Sequence, residues 1–170
     1  MCSSDLALVQ TLIPILGAED LAYRAGLIGL AIGTGGLTRF VGSLAVGQIS
    51  DRVSRRAALV PGLILQLAGA IVLAGTRSSA GWWLSIVLLS LGSTSVHVGT
   101  TILADLSEGQ SLGRRLGAFR FSGDVGFLVV PLATGALYDA WGAAAATVPV
   151  LVLTGTALAG ALFVIPETHR

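Results

Sequence analysis

The sequence predicts an all-α membrane protein, a polytopic helical bundle of six transmembrane helices. Three observations carry that prediction. Of the 170 residues, 54% are hydrophobic and 11% are charged, whereas a soluble domain carries about 25% charged residues. Mean hydropathy is +0.85. The apolar residues are gathered into long runs separated by short polar connectors, the arrangement expected when lipid is the solvent.

The runs lie at about 6–17, 27–49, 57–75, 82–104, 118–138 and 143–165. All but the first are long enough to span. A segment such as 27–49 rises about 35 Å as a helix, enough to cross a hydrocarbon core of about 30 Å with some tilt. None of the runs shows the strict alternation of barrel strands, and a spanning backbone must satisfy its own polar groups, so helices are the expected form. The first run is short, and residues 1–6, MCSSDL, read as a non-native leader. A common sequencing-adapter sequence, GTG-TGC-TCT-TCC-GAT-CT, translates this way with GTG as the start codon. The bundle proper is then expected over 7–170, opening inside a truncated first helix; the alternative is a genuine short N-terminus. Cys2, the only cysteine, falls in this stretch and gives no disulfide framework.

Arginine placement sets the expected orientation. The chain has ten Arg and no Lys. Arg52, Arg55 and Arg56 lie in the second-to-third connector, Arg114 and Arg115 in the fourth-to-fifth with Arg120 just beyond, and Arg170 ends the chain. The opposite connectors hold Arg24 and Arg77 alone. By the positive-inside rule the Arg-rich connectors and the C-terminus are cytoplasmic, in a prokaryotic inner membrane, and the turns at 18–26, 76–81 and 139–142 face out.

The strongest local signal is Gly47-Gln48-Ile49-Ser50-Asp51-Arg52-Val53-Ser54-Arg55-Arg56. It resembles the cytoplasmic loop signature of the major facilitator superfamily, G-x-x-x-D-[RK]-x-G-R-[RK]. The match falls at Gly47, Asp51, Arg52, Arg55 and Arg56, and Ser54 stands where the signature has glycine. The glycine permits close helix approach, and an Asp at the membrane boundary can face a helix N-terminus or an arginine. Such contacts are expected to latch one conformational state; the simpler reading is that the arginines only set topology. A second resemblance is Arg120-Phe121-Ser122-Gly123-Asp124-Val125-Gly126, followed by Pro131 and Gly135, which is similar to the eleventh spanning helix of many members of the family. Val130 replaces the glycine before that proline. Pro166-Glu167-Thr168 resembles the close of many such halves. Together these imply the C-terminal half of the fold, with an N-terminal six-helix half of the same chain as its partner. They also imply alternating access for a small-molecule substrate, coupled to an ion or to protons, with efflux as one direction. Gly123, Gly126 and Pro131 have an equally good plain reading, because small residues and proline let membrane helices approach and bend.

Polar residues inside the spans are the substrate-pathway candidates, because their exposure to lipid is costly. Arg39 lies near the middle of the second run, flanked on its own stripe by Gly35 and Gly42. Facing lipid it would cost at least about 2.5–3.5 kcal/mol, so it is expected to face protein or a water-filled cavity, binding an anionic group or forming a structural pair. In the fourth run Ser90, Thr94, His97, Thr101 and Asp105 recur at three- or four-residue spacing and share a face. His97 could relay protons, although a lone histidine is more often a hydrogen-bonded packing residue. Arg120 and Asp124, one turn apart, are expected to form a local ion pair. Gln10 and Gln66 are expected to bond between helices. The third and sixth runs, mostly Ala, Leu, Val and Gly, read as peripheral and lipid-facing. Trp82, Trp83 and Trp141 read as interfacial anchors.

Other function classes fit poorly. There is no G-x-S-x-G elbow, H-E-x-x-H motif, metal-ligand cluster or phosphate-cradling glycine loop, so no enzyme activity, cofactor or metal is expected. A net charge of +1 is mostly topological and gives no argument for nucleic acid. A six-helix membrane subunit with a structural or interaction role is the alternative to a carrier, and an intramembrane enzyme is the weaker one. The expected surroundings are a lipid bilayer.

Overall fold

The computed structural model describes residues 2–52, 54–95 and 112–163. They form α1 (Cys2–Glu19), α2 (Ala25–Arg52), α3 (Arg55–Gly75), α4 (Ser79–Gly92), α5 (Leu112–Trp141), the short α6 (Ala143–Ala146) and α7 (Val148–Phe163); a 3-10 turn at Ser93–Ser95 continues α4. Among the described residues, four stretches can cross a membrane by length and composition: Ala25–Ser50, Arg56–Gly75, Gly113–Trp141 and, across α6 and α7, Ala143–Phe163. The predicted span 82–104 is described only through Ser95, and the remainder lies outside the described residues.

Helix boundaries follow local chemistry where hydropathy was silent. Ser54, the residue that departs from the loop signature, is the N-cap of α3. Its backbone is extended and its Oγ accepts the Ala57 N–H at 3.1 Å. Ser78 does the same for α4, accepting the Gly81 N–H at 3.2 Å. An N-cap hydroxyl contributes about 1 kcal/mol, and glycine in its place loses only a few tenths. Ser54→Ala is therefore expected to lower stability by about 1 kcal/mol and Ser54→Gly to change it little, as read by denaturant-induced unfolding in detergent micelles. The last predicted helix, 143–165, is broken at Thr147. Pro149 has no N–H to return to the Ala145 carbonyl and so interrupts the ladder. The Thr147 N–H bonds Ala145 instead, while the Thr147 hydroxyl donates to the Ala144 carbonyl at 2.8 Å. Gly142, at φ +80°, makes the reversal from α5 into α6 in a conformation that favours glycine.

The packing inverts two expectations. The third run was read as lipid-facing, yet 39% of the α3 span is buried, against 17% for α2 and 11% for α5. In lipid a core position and a lipid-facing position are both apolar, so composition does not tell them apart; glycine placement does. Cβ atoms added at Gly69 and Gly92 would lie 2.9 Å from the Leu89 backbone nitrogen and 2.6 Å from the Gln66 nitrogen, so α3 and α4 meet backbone to backbone, as small residues allow. Trp82, read as an interfacial anchor, is instead in the core. It is 2% exposed, donates its indole N–H to the Ile13 carbonyl at 3.2 Å, and packs edge-on against Tyr23 and Trp83. Trp141 is exposed, as an anchor would be.

The two ends of the bundle group the connectors as arginine placement required. At one end Arg77, in the α3–α4 turn, pairs with Asp20 after α1 at 2.9 Å, and the Tyr138 hydroxyl near the end of α5 reaches Asp20 at 3.4 Å. At the other end Arg56 opens α3 beside Leu162 of α7.

Candidate functional site

Arg39 and Thr94 are brought together by the crossing of α2 over α4. Along one stripe of α2, Gly35, Arg39 and Gly42 face α4. A Cβ at Gly35 would lie 2.8 Å from Ser90 Oγ, and one at Gly42 would lie 2.9 Å from Thr94 Cγ2 and 3.1 Å from Leu91 Cδ2. The two glycines thus let the helices close on either side of the arginine. Arg39 is half-buried, and its Nε donates to Ser93 Oγ at 2.9 Å. Ser93 passes the bond on, its hydroxyl donating to the Ser90 carbonyl at 2.8 Å. Thr94 is buried at 1% exposure, its Oγ1 donating to the Leu91 carbonyl at 2.6 Å. Of the polar stripe, Ser90 and Thr94 therefore lie inside the α2–α4 contact, while His97, Thr101 and Asp105 lie outside the described residues. Ser93, the direct partner of Arg39, was missed on the sequence; its signal was a hydroxyl three residues from Ser90.

The loop-signature residues divide. Gly47 is exposed, and nothing lies within 4 Å of where its Cβ would be, so among the described residues it serves no close helix approach. Arg52 is exposed. Asp51 and Arg55 are helical in backbone, and their side chains lie outside the described residues. Arg56 reaches furthest, its Nη2 donating to the Leu162 carbonyl of α7 at 2.9 Å. A guanidinium there gives the Leu162 carbonyl a charged donor.

The fifth-helix motif lies along two faces of α5. Gly123 is buried, Gly126 and Pro131 are half-buried, and α5 runs unbroken through the proline. Arg120 and Asp124 are exposed, and among the described residues no ion pair joins them. That corrects the expected local pair. With the basic residue N-terminal to the acidic one the i,i+4 order is the weaker orientation, because each charge faces the unfavourable end of the helix dipole. Both project from the same side as Phe121, Leu128 and Leu132, all exposed. A matching uncovered face on α2 carries Leu30, Leu37, Phe40 and Leu44.

Comparison with known proteins agrees with this architecture. The family model described as Major Facilitator Superfamily matches residues 2–170. The chain is similar to the inner membrane transport protein YajR of Escherichia coli (strain K12), 27% identical over 159 residues, covering 92% of this chain and 35% of that protein. It is 28% identical over 124 residues to an uncharacterized transporter of Buchnera aphidicola, covering 71% and 32%. To the multidrug resistance protein MdtH of Cronobacter sakazakii it is 29% identical over 134 residues, covering 78% and 32%. The chain thus spans about a third of the length of these relatives. By its bilayer-length helices, its loop signature and this family match, the chain belongs to the Major Facilitator Superfamily.

Proposed function

We propose that the chain is the C-terminal six-helix half of a secondary transporter that moves a small solute across a bacterial inner membrane. The observation that carries this reading is the uncovered face of α5, where Arg120 and Asp124 stand exposed within the span Gly113–Trp141. A charge held against lipid at mid-span costs about 2.5–3.5 kcal/mol or more, so that face meets protein or water in the membrane. A second bundle set against α2 and α5 supplies both, with a hydrated pathway at the junction. The relatives named as transport and multidrug resistance proteins support transport, and the latter supports efflux.

In this mechanism the two bundles rock about a midplane site and expose it to each side in turn. Arg39, Thr94, His97 and Thr101 are the pathway residues, with His97 the candidate proton relay. Gly47, Asp51, Arg52, Arg55 and Arg56 form the latch at the cytoplasmic end, where the C-terminus also lies. Within it the Arg56 bond to α7 fixes the base on which Asp51 and Arg52 act. The test is flux in proteoliposomes under an imposed proton gradient, with ethidium as the efflux probe. The chain joined to its N-terminal bundle is expected to move the dye and residues 1–170 alone to move none, because half of the pathway wall is lacking. Gradient-driven flux by residues 1–170 alone would sink the two-bundle reading.

A further inference from the structure

An arginine side chain carries N–H donors and no acceptor. With the Arg39 Nε–H directed at Ser93 Oγ, 2.9 Å away, the serine can only accept across the seam, and its own proton must go elsewhere. It goes to the Ser90 carbonyl at 2.8 Å, three residues back along the chain. Serines in helices commonly bond back to their own helix in this way. Here the back-bond has a consequence for the neighbouring helix, because it fixes the hydroxyl rotor and leaves a lone pair turned towards α2. Ser93 is 7% exposed, so the pair is shielded from competing water.

The helix contact holds the two partners in register. Gly35 and Gly42 lie on either side of Arg39 on its stripe, closed against Ser90 and against Leu91 and Thr94, and that packing places the Arg39 backbone relative to α4. The bond to Ser93 then fixes the far part of a side chain that is otherwise rich in rotamers, and with Nε engaged the plane of the guanidinium is set. Ser90 supplies the contrast. Its Oγ is also buried, at 0% exposure, and has no hydrogen-bond partner among the described residues. It lies over Gly35, which offers no side chain to hold. A hydroxyl in the seam is therefore not enough; it must stand opposite the arginine.

We propose that Ser93 is the positioning residue for Arg39: with its proton committed to the Ser90 carbonyl, it holds the guanidinium in one orientation for the group that Arg39 meets on the pathway. An alanine at this position would leave Arg39 its charge and free its plane, so what is lost is pre-organisation. The effect on flux rests on the proposed reading of Arg39 as a pathway residue, whereas the hold on the guanidinium does not.

Two measurements separate these parts. In the chain carrying isotope-labelled arginine, in lipid nanodiscs, the Arg39 Nε–H resonance is assigned by its loss in Arg39→Lys. Its exchange with water is expected to be about tenfold faster in Ser93→Ala, the worth of one hydrogen bond to a charged group, and unchanged in Ser90→Ala. Equal exchange in Ser93→Ala and the unmodified chain would overturn the hold, whatever the chain transports. In the two-bundle protein, ethidium flux per folded molecule is expected to fall about tenfold in Ser93→Ala. On the Arg39→Met background the same substitution is expected to change flux by less than about twofold, since a residue that acts through another has no effect once that other is gone. A tenfold loss on both backgrounds would make Ser93 a structural residue and overturn the positioning. Absence of flux in the unmodified two-bundle protein would bring down the transport reading and with it the role in flux, while the exchange measurement still decides the hold.

Discussion

Gly92→Leu is expected to pull α4 off α3 and lower the stability of the bundle by about 3 kcal/mol or more, the upper range for overpacking a closed site. The magnitude follows from what the new side chain would meet. A Cβ at position 92 falls 2.6 Å from the Gln66 backbone nitrogen and 2.7 Å from the Gly62 carbonyl oxygen. Both are backbone atoms, which cannot swing aside as a side-chain end can. The approach is reciprocal, since a Cβ at Gly62 would meet Ser95 and lie 3.1 Å from the Gly92 oxygen, and one at Gly69 would lie 2.9 Å from the Leu89 nitrogen. Lipid tails are as apolar as leucine, so contact of this kind, and not exclusion from water, holds two membrane helices together. Titration with sodium dodecyl sulfate, followed through the fluorescence of buried Trp82, measures the shift. Gly36→Leu is the control: it lies on the uncovered side of α2 with nothing within 4 Å of its Cβ position, and its expected change is within about 0.5 kcal/mol. Equal midpoints for Gly92→Leu and the control would mean that α3 and α4 do not touch there.

How much of this was legible in the sequence depends on which physical term decided each feature. The spans were legible because in a bilayer every backbone polar group must be satisfied internally, so long apolar runs admit only helices. The pairing of connectors by end was legible from arginine placement, and the structure brings Asp20, Arg77 and Tyr138 together at one end. The inward face of each helix was not legible from composition, which is why α3 was read as peripheral and Trp82 as an anchor. The usable signal was the run Gly62, Gln66, Gly69, spaced at four and three residues on one face, with a polar side chain between two small ones. Pro149 was visible throughout, but the apolar run around it masked the break at Thr147.

The site shows the same division. A lone arginine inside an apolar run is conspicuous, and so are the glycines beside it, so Arg39 and its stripe were found. Its partner was not. Stripe counting from Ser90 took the residue four positions on, Thr94, and passed over the one three positions on, Ser93, although both steps keep to one face of a helix and both residues meet α2. Ser54 teaches the converse lesson: a departure from the loop signature lost nothing locally, because a serine there gains the cap of α3.

Arg39→Met is expected to separate function from stability in the two-bundle protein. The substitution keeps much of the side-chain volume and removes the charge, together with the bond to Ser93 Oγ at 2.9 Å. If Arg39 served only to join α2 to α4, its loss would weaken the bundle, and flux would fall only as far as folding does. A buried charge is expensive to hold, and replacing it with an apolar side chain of similar size is commonly neutral or stabilising. The unfolding midpoint in dodecyl sulfate is therefore expected to stay or rise. Flux is expected to fall about ten- to hundredfold, the worth of one charge-assisted hydrogen bond of about 1.5–3 kcal/mol to a transported group. Arg39→Lys keeps the charge but gives up the planar fork through which the guanidinium holds Ser93 and a ligand together, so its flux is expected between the two. Full flux in Arg39→Met with a lowered midpoint would make the residue a structural tie, and the pathway would then have to be sought on the other helices that border the junction of the two bundles.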